Sequence, residues 1–133
     1  MPYLLDTDTI SAAVRRIPDI GVVRRLARAP QSEVYTSAIT VGELVYGSAR
    51  RQVPDLDRRI ETLLATLPVI SFDEAAAYLY GVTRASMERI GQRLDDPDLR
   101  IASIALAHDL VLVSGNEKHF RRVPELRLEN WLS

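Results

Sequence analysis

The chain contains no cysteine. That excludes disulfides, Cys-ligated zinc and thiol catalysis. It has two histidines, His108 and His119, too few for a His-rich metal site. Lysine is nearly absent: Lys118 is the only one, and every other basic residue is arginine. No stretch approaches the roughly 20 apolar residues that a membrane helix needs, so no membrane partner is expected. The opening residues Met1-Pro2-Tyr3-Leu4-Leu5-Asp6 have no basic n-region and no long apolar run, and do not read as a signal peptide. The expectation is a soluble cytoplasmic protein. Its chemistry must come from oxygen and nitrogen side chains, with a hard metal ion as the natural helper.

What is present is enough for one packed core. Of 133 residues, 47% are hydrophobic and 26% charged, which fits a single domain over residues 1–133 and argues against wholesale disorder. The formal net charge of −1 excludes a strongly cationic nucleic-acid-coating protein and an acidic tail protein. No internal repeat, low-complexity tract or linker interrupts the chain.

Short apolar runs alternate with helical patterns. Tyr3-Leu4-Leu5, Glu33-Val34-Tyr35-Thr36, Val69-Ile70-Ser71-Phe72 and Leu110-Val111-Leu112-Val113 read as strands, and Leu126-Arg127-Leu128 as a short last one. Helices are predicted from Ile10 to Val14, from Ile20 to Ala29 before Pro30, and from Thr40 to about Arg51. Leu56, Ile60, Leu63, Leu64 and Leu67 share one helical face ahead of Pro68. Asp73 to Ile90 forms a long helix with Gly91 as its stop, and a mostly buried helix follows Pro97. This alternation implies a three-layer α/β/α arrangement, with a short parallel sheet covered by helices on both faces. In such sheets sites form beyond the carboxyl ends of strands. Two strands end in polar clusters, Asp6-Thr7-Asp8 and Ser114-Gly115-Asn116, which face each other if the strands are neighbours.

Four acids stand where an acid is either a helix cap or a ligand: Asp6, Asp8, Glu43 and Asp98. Asp6 directly follows an apolar strand, where a carboxylate is partly desolvated and calls for a cation or donors. One of Asp6 and Asp8 can cap the following helix, but capping does not explain both. Thr40-Val41-Gly42-Glu43 matches a capping box, so the local sequence alone favours a structural role for Glu43, although Gly42 is a poor helix residue. Asp96-Pro97-Asp98 reads as N-cap, N1 proline and first-turn acid. Singly each acid is ambiguous. Together, each at a strand end or helix start, they favour a site for Mg²⁺ or Mn²⁺ able to activate water and stabilise phosphoryl charge.

The ordered set of segments resembles the PIN-domain ribonucleases, specifically the VapC-type toxins of bacterial toxin–antitoxin pairs. The likeness runs through Leu4-Leu5-Asp6-Thr7-Asp8-Thr9-Ile10-Ser11, Ser37-Ala38-Ile39-Thr40-Val41-Gly42-Glu43-Leu44-Val45-Tyr46-Gly47 and Asp98-Leu99-Arg100-Ile101-Ala102. It continues in Leu112-Val113-Ser114-Gly115-Asn116-Glu117-Lys118-His119-Phe120 and Val123-Pro124-Glu125-Leu126-Arg127-Leu128-Glu129-Asn130-Trp131. The resemblance implies a PIN-like fold and a metal-dependent endoribonuclease that hydrolyses RNA phosphodiesters with metal-activated water. It implies that Asp6, Glu43 and Asp98 are the catalytic, metal-holding acids, with Asp8, Ser114 and Asn116 beside them orienting ligands or water. Glu43 would act as base or orient the water. Asn116 falls where many PIN domains carry a fourth acid, which speaks against two firmly held ions. The implied partners are an RNA substrate, a small cognate antitoxin and a second copy of the chain.

Three other readings compete. Asp6-Thr7-Asp8-Thr9 also resembles the nucleophile motif of haloacid-dehalogenase phosphatases, but those need a lysine ahead of a later acidic motif, and Lys118 follows every acidic candidate. A receiver domain needs a phosphorylatable Asp at a mid-chain strand end, and Asp55 and Asp57 instead follow Pro54 at a helix start. A catalytically weak PIN domain serving mainly as an antitoxin- or RNA-binding module is the third reading, and Asn116 is its one sequence hint. Most arginines read as solvated helix faces. Arg89 and Arg93, one helical turn apart before the acidic loop, are the better RNA-binding candidates, ahead of Arg15, Arg16 and Arg100. His119 is a candidate substrate contact, His108 closes a helix, and Trp131 and Tyr46 read as core or interface residues.

Overall fold

The computed structural model describes residues 2–133. Five parallel strands form its centre: β1 (Tyr3–Leu5), β2 (Val34–Ser37), β3 (Val69–Ile70), β4 (Val111–Val113) and β5 (Leu128–Glu129). Their order in the sheet is β3-β2-β1-β4-β5. The chain thus builds outward from β1 in one direction, then crosses back to lay β4 on its other side. The β1–β4 boundary is where the winding reverses, the place at which open α/β sheets form crevices. Register pairs Leu5 with Thr36 on one side and with Val113 on the other.

Among the described residues seven α-helices cover the sheet: α1 (Thr7–Val14), α2 (Ile20–Arg28), α3 (Ala38–Arg51), α4 (Leu56–Leu64), α5 (Glu74–Arg89), α6 (Asp96–Ala107) and α7 (Glu117–Phe120). Because strands of a parallel sheet are buried on both faces, alternate residues feed two separate cores. Leu4 and Leu112 join Met87, Ile101 and Ile104 from α5 and α6. Leu5 and Val113 join Ile10, Val22, Leu44 and Ile60 from α1, α2, α3 and α4. Leu4, Leu5, Leu112 and Val113 are all fully buried, each worth about 1.5–3 kcal/mol relative to exposure. The expected three-layer arrangement is therefore present.

Most helix ends follow the sequence reading. Asp73 caps α5 by accepting from Ala76 N at 2.9 Å. Gly91 stops it in the left-handed region (φ 73°), with Gln92 N on Met87 O and Gly91 N on Glu88 O closing a Schellman motif. Three starts differ. α1 begins at Thr7, earlier than predicted, because Asp6 itself caps it through Thr7 N at 2.8 Å. α3 begins at Ala38, because Ser37 and not Thr40 is the cap and accepts from Thr40 N at 3.0 Å. Asp95 rather than Asp96 occupies the cap position of α6, which moves Asp98 to the third helical position. The single turn α7 after Asn116 was not predicted, being too short to show periodicity. Tyr46 is 67% exposed and so is not a core residue, whereas Trp131 is buried and packs edge-on against Tyr3. His108 closes α6 as expected and pairs with Asp73 at 2.8 Å.

The position of the α3 cap is directly testable. Ser37→Ala is expected to lower unfolding free energy by about 1 kcal/mol in urea titrations, through the lost cap on Thr40 N.

Candidate active site

β1 and β4 end side by side, and the chain leaves each with a polar residue. Asp6 N donates to Val113 O at 2.9 Å as the last rung between the two strands. The next residue on the β4 side, Ser114, is fully buried and donates from Oγ to Asp6 Oδ2 at 2.7 Å. Asp6 Oδ1 accepts from Thr7 N. Asp8 does not cap α1. Its Oδ2 accepts instead from Gly115 N at 2.9 Å, and Ser114 Oγ lies 3.4 Å from its Oδ1. The two polar clusters thus face each other and are stitched together.

The remaining acids arrive on helices. Because α3 starts at Ala38, Glu43 lies a full turn beyond the first three helical positions and closes no capping box. Its Oε1 accepts from Thr7 Oγ1 at 2.6 Å, and Thr7 Oγ1 lies 3.2 Å from Thr40 Oγ1. Asp98 comes from the first turn of α6, with Asn116 Nδ2 at 3.4 Å from its Oδ2. Asp6, Thr7, Asp8, Glu43, Asp98, Gly115 and Asn116 line one open cleft of about 510 Å³. Sequence reasoning missed Thr7, whose signal was its position between two acids at a strand end. At Gly42, noted as a poor helix residue, an added β-carbon would meet no atom within 4 Å beyond its own helical neighbours.

The electrostatics of the cleft are unbalanced. Burial pushes the Asp6 carboxyl up to about 7, the nearby Asp8 charge adds to the rise, and the Ser114 and Thr7 hydrogen bonds oppose it. Burial likewise lifts Asp98 to about 6, reinforced by the charges of Glu43 and Asp95, while the charge of His119 pulls it down. Among the described residues no arginine or lysine lines the cleft. The N-termini of α1 and α6 offset part of the cost, since helix dipoles favour negative charge there. Among the described residues no three acids or histidines close into a ready-made ligand cage. The donor set is nonetheless all oxygen, converging and short of positive charge. That suits a small hard cation which keeps several waters and takes few protein ligands.

The RNA-binding candidates lie elsewhere. α5 ends at Arg89 and the chain turns at Gly91, so Arg89 and Arg93 are not on one helix. Arg93 lines a separate cleft of about 530 Å³ with Arg84, Gln92 and Asp96, beside the start of α6. Arg100 is held by Asp96 at 2.6 Å and lies over Phe72 and Tyr80.

Residues 3–126 match the PIN domain family. The chain belongs to the PIN-domain family. Among its relatives, this PIN domain is 33% identical to the ribonuclease VapC2 of Rickettsia felis over 132 residues, covering 98% of each chain. It is 31% identical to the tRNA(fMet)-specific endonuclease VapC of Shigella flexneri, again over 98% of each. Its fold is similar to the crystal structure of VapBC2 from Rickettsia felis bound to a DNA fragment from the promoter, with a TM-score of 0.90 and 30% identity over 98% of this chain and 99% of that one.

The raised carboxyls make stability depend on pH. An unfolded Asp titrates near 4, so protons bind the folded state more tightly and the benefit is lost as pH rises from about 4 to about 7. Metal-free protein in EDTA should therefore melt lower at pH 8 than at pH 5. Asp6→Asn should flatten that dependence and add about 1–3 kcal/mol at pH 8, read by thermal melts.

Proposed function

We propose that this chain is a metal-dependent endoribonuclease toxin that hydrolyses RNA phosphodiesters, is neutralised by a small cognate antitoxin and acts as a homodimer in the cytoplasm. One observation carries the reading: the carboxyl ends of β1 and β4 gather Asp6, Asp8, Glu43 and Asp98 around a single cleft with no arginine or lysine among the described residues that line it. A cation among them would offset the cost of burial that raises the Asp6 and Asp98 carboxyls. The names of the Rickettsia and Shigella relatives, a ribonuclease and a transfer-RNA endonuclease, support RNA as the substrate class. The toxin–antitoxin complex with a similar fold supports the protein partner.

Asp6, Glu43 and Asp98 are the residues that would hold the cation, Mg²⁺ or Mn²⁺. When bound, it supplies charge neutralisation at a phosphoryl oxygen and acidifies water. The chain's own groups do the rest. Ser114 and the Thr7 amide each take one lone pair of Asp6 and fix its plane. Thr7 Oγ1 engages Oε1 of Glu43, which leaves Oε2 to orient a water or accept its proton. Gly115 N holds Asp8 at the rim, and Asn116 sets a neutral amide beside Asp98 where a further acid would add charge. A neutral residue there suits one firmly held ion. Arg93, with Arg89 nearby in the chain, is assigned to the RNA backbone beyond the cleft, as a phosphate contact that needs no base specificity.

The test is cleavage of total cellular RNA and of purified transfer RNA with Mg²⁺, with and without EDTA, followed by end-mapping. Cleavage is expected to stop in EDTA, and Asp6→Asn to lower the rate about 100-fold or more, as when roughly 3 kcal/mol of transition-state stabilisation is removed. Millimolar Mg²⁺ should raise the melting temperature of the wild type and not of Asp6→Asn. A wild type that neither cleaves nor responds to metal would leave only the binding-module reading. Arg93→Glu is expected to raise the RNA concentration for half-maximal cleavage while leaving the Mg²⁺-induced stabilisation intact, and unchanged cleavage would remove Arg93 from the RNA path.

A further inference from the structure

Residues 130–133, beyond β5, have no regular structure, yet Asn130, Trp131 and Ser133 are hydrogen-bonded to residues outside the segment and Leu132 packs against Gly115. Trp131 is buried against Tyr3, donates from Nε1 to Glu129 Oε1 at 3.0 Å, and lies 4.9 Å under the Arg25 guanidinium. Ser133 donates from N and from Oγ to the Asp19 carboxylate, at 3.1 and 2.8 Å. The Ser133 hydroxyl is the main influence holding that carboxyl below its usual range. Asp19 also caps α2 through Val22 N at 3.1 Å, so the segment is anchored to a helix start. The approach is close: a β-carbon at Gly21 would lie 2.5 Å from Trp131 O and 2.9 Å from Ser133 N.

The other side of the segment meets the cleft. A β-carbon at Gly115 would overlap Leu132 Cδ1 outright and come within 3.0 Å of Asp8 Oδ2. Leu132 therefore packs directly on the backbone whose N–H holds Asp8. Leu132 N donates to Asn130 Oδ1 at 2.9 Å, and Asn130 Nδ2 donates to Glu117 Oε2 at 3.0 Å, one residue past Asn116. The segment thus meets the Ser114-Gly115-Asn116 turn at its glycine and holds Glu117, the residue that follows it.

We propose that Leu132 is a positioning residue for the cleft: tied to α2 through Ser133 and Asp19, it presses on Gly115 and fixes the turn that sets Asp8 and Asn116 beside Asp6 and Asp98. The glycine at 115 lets the Leu132 tip sit against the turn, since any side chain there would have to push it aside. Its consequence for catalysis rests on the ribonuclease reading above. Its consequence for the turn does not.

The test compares wild type with Leu132→Ala and Leu132→Met. The first readout is amide hydrogen exchange by NMR, which needs neither metal nor RNA. Leu132→Ala is expected to speed exchange at Gly115 and Asn116 about tenfold or more, with Leu5 and Leu112 in the β1–β4 ladder unchanged, and Leu132→Met to restore it. The second readout is cleavage: kcat should fall with little change in KM for RNA, and again recover in Leu132→Met. Unchanged exchange at Gly115 in Leu132→Ala overturns the proposal, as does a loosened turn with unaltered kcat. If the wild type cleaves no RNA, the ribonuclease reading fails by itself, and exchange alone decides whether Leu132 positions the turn. If Leu132→Ala does not fold, Ser133→Ala removes only the anchoring hydroxyl and should loosen the same two amides to a smaller degree. No change there counts against the proposal.

Discussion

The last rung of the β1–β4 ladder, Asp6 N on Val113 O, is the constraint on which the rest of the cleft depends. It fixes the register in which Leu5 lies opposite Val113, and hence places Asp6 against Ser114. A slip of one residue would turn every side chain of β1 to the other face. Leu4 and Leu5 would then exchange cores, and Asp6 would leave the cleft. Burial of both strands on two faces is what makes such a slip costly, so the packing of four apolar side chains holds a polar site in place.

The cleft in turn works against stability. Burying Asp6 beside Asp8 and Asp98, and Asp98 beside Glu43 and Asp95, lifts both carboxyls well above their ordinary range. Helix N-termini, the Ser114 hydroxyl and the Thr7 amide relieve only part of this. The chain has arginines in plenty, but they serve elsewhere: Arg100 binds Asp96, Arg84 binds Glu88, and Arg25 binds Glu129. These are largely exposed pairs, each worth little. An arginine inside the cleft would stabilise the fold and fill the place proposed for a cation. Such conflict between stability and function is common where a site must stay reactive.

Much of the fold was legible because strands and helices here carry strong local signals. Val111-Leu112-Val113 reads as a buried strand from composition. Gly91 stops the helix it was expected to stop, whereas α4 ends at Leu64, ahead of Leu67 and Pro68, in a turn where Leu67 N bonds Leu64 O. The caps were less legible. Ser37 and Thr40 are both good N-caps, and only the length of β2 decides that the chain reaches Ser37 in extended form before turning. That choice removes Glu43 from the capping box and frees it for Thr7. Arg89 and Arg93 look adjacent in sequence, but the left-handed Gly91 between them ends the helix on which that adjacency depended. The tail was read only as part of a family likeness, since its contacts to Asp19, Gly21 and Gly115 lie far away in the chain.

By itself the sequence determined the chemical inventory: oxygen ligands without thiols, acids at strand ends and helix starts, and apolar runs of strand length. Those follow from residue type and near-neighbour spacing, which any local reading captures. Which acids meet was decided only by the tertiary structure. Asp6 and Ser114 are 108 residues apart, and they touch because β4 crosses back to pair with β1 rather than extending the sheet beyond β3. Nothing local encodes that crossing. It is set by the packing of two cores on opposite faces of one sheet, and the cleft exists where the two halves of that sheet diverge.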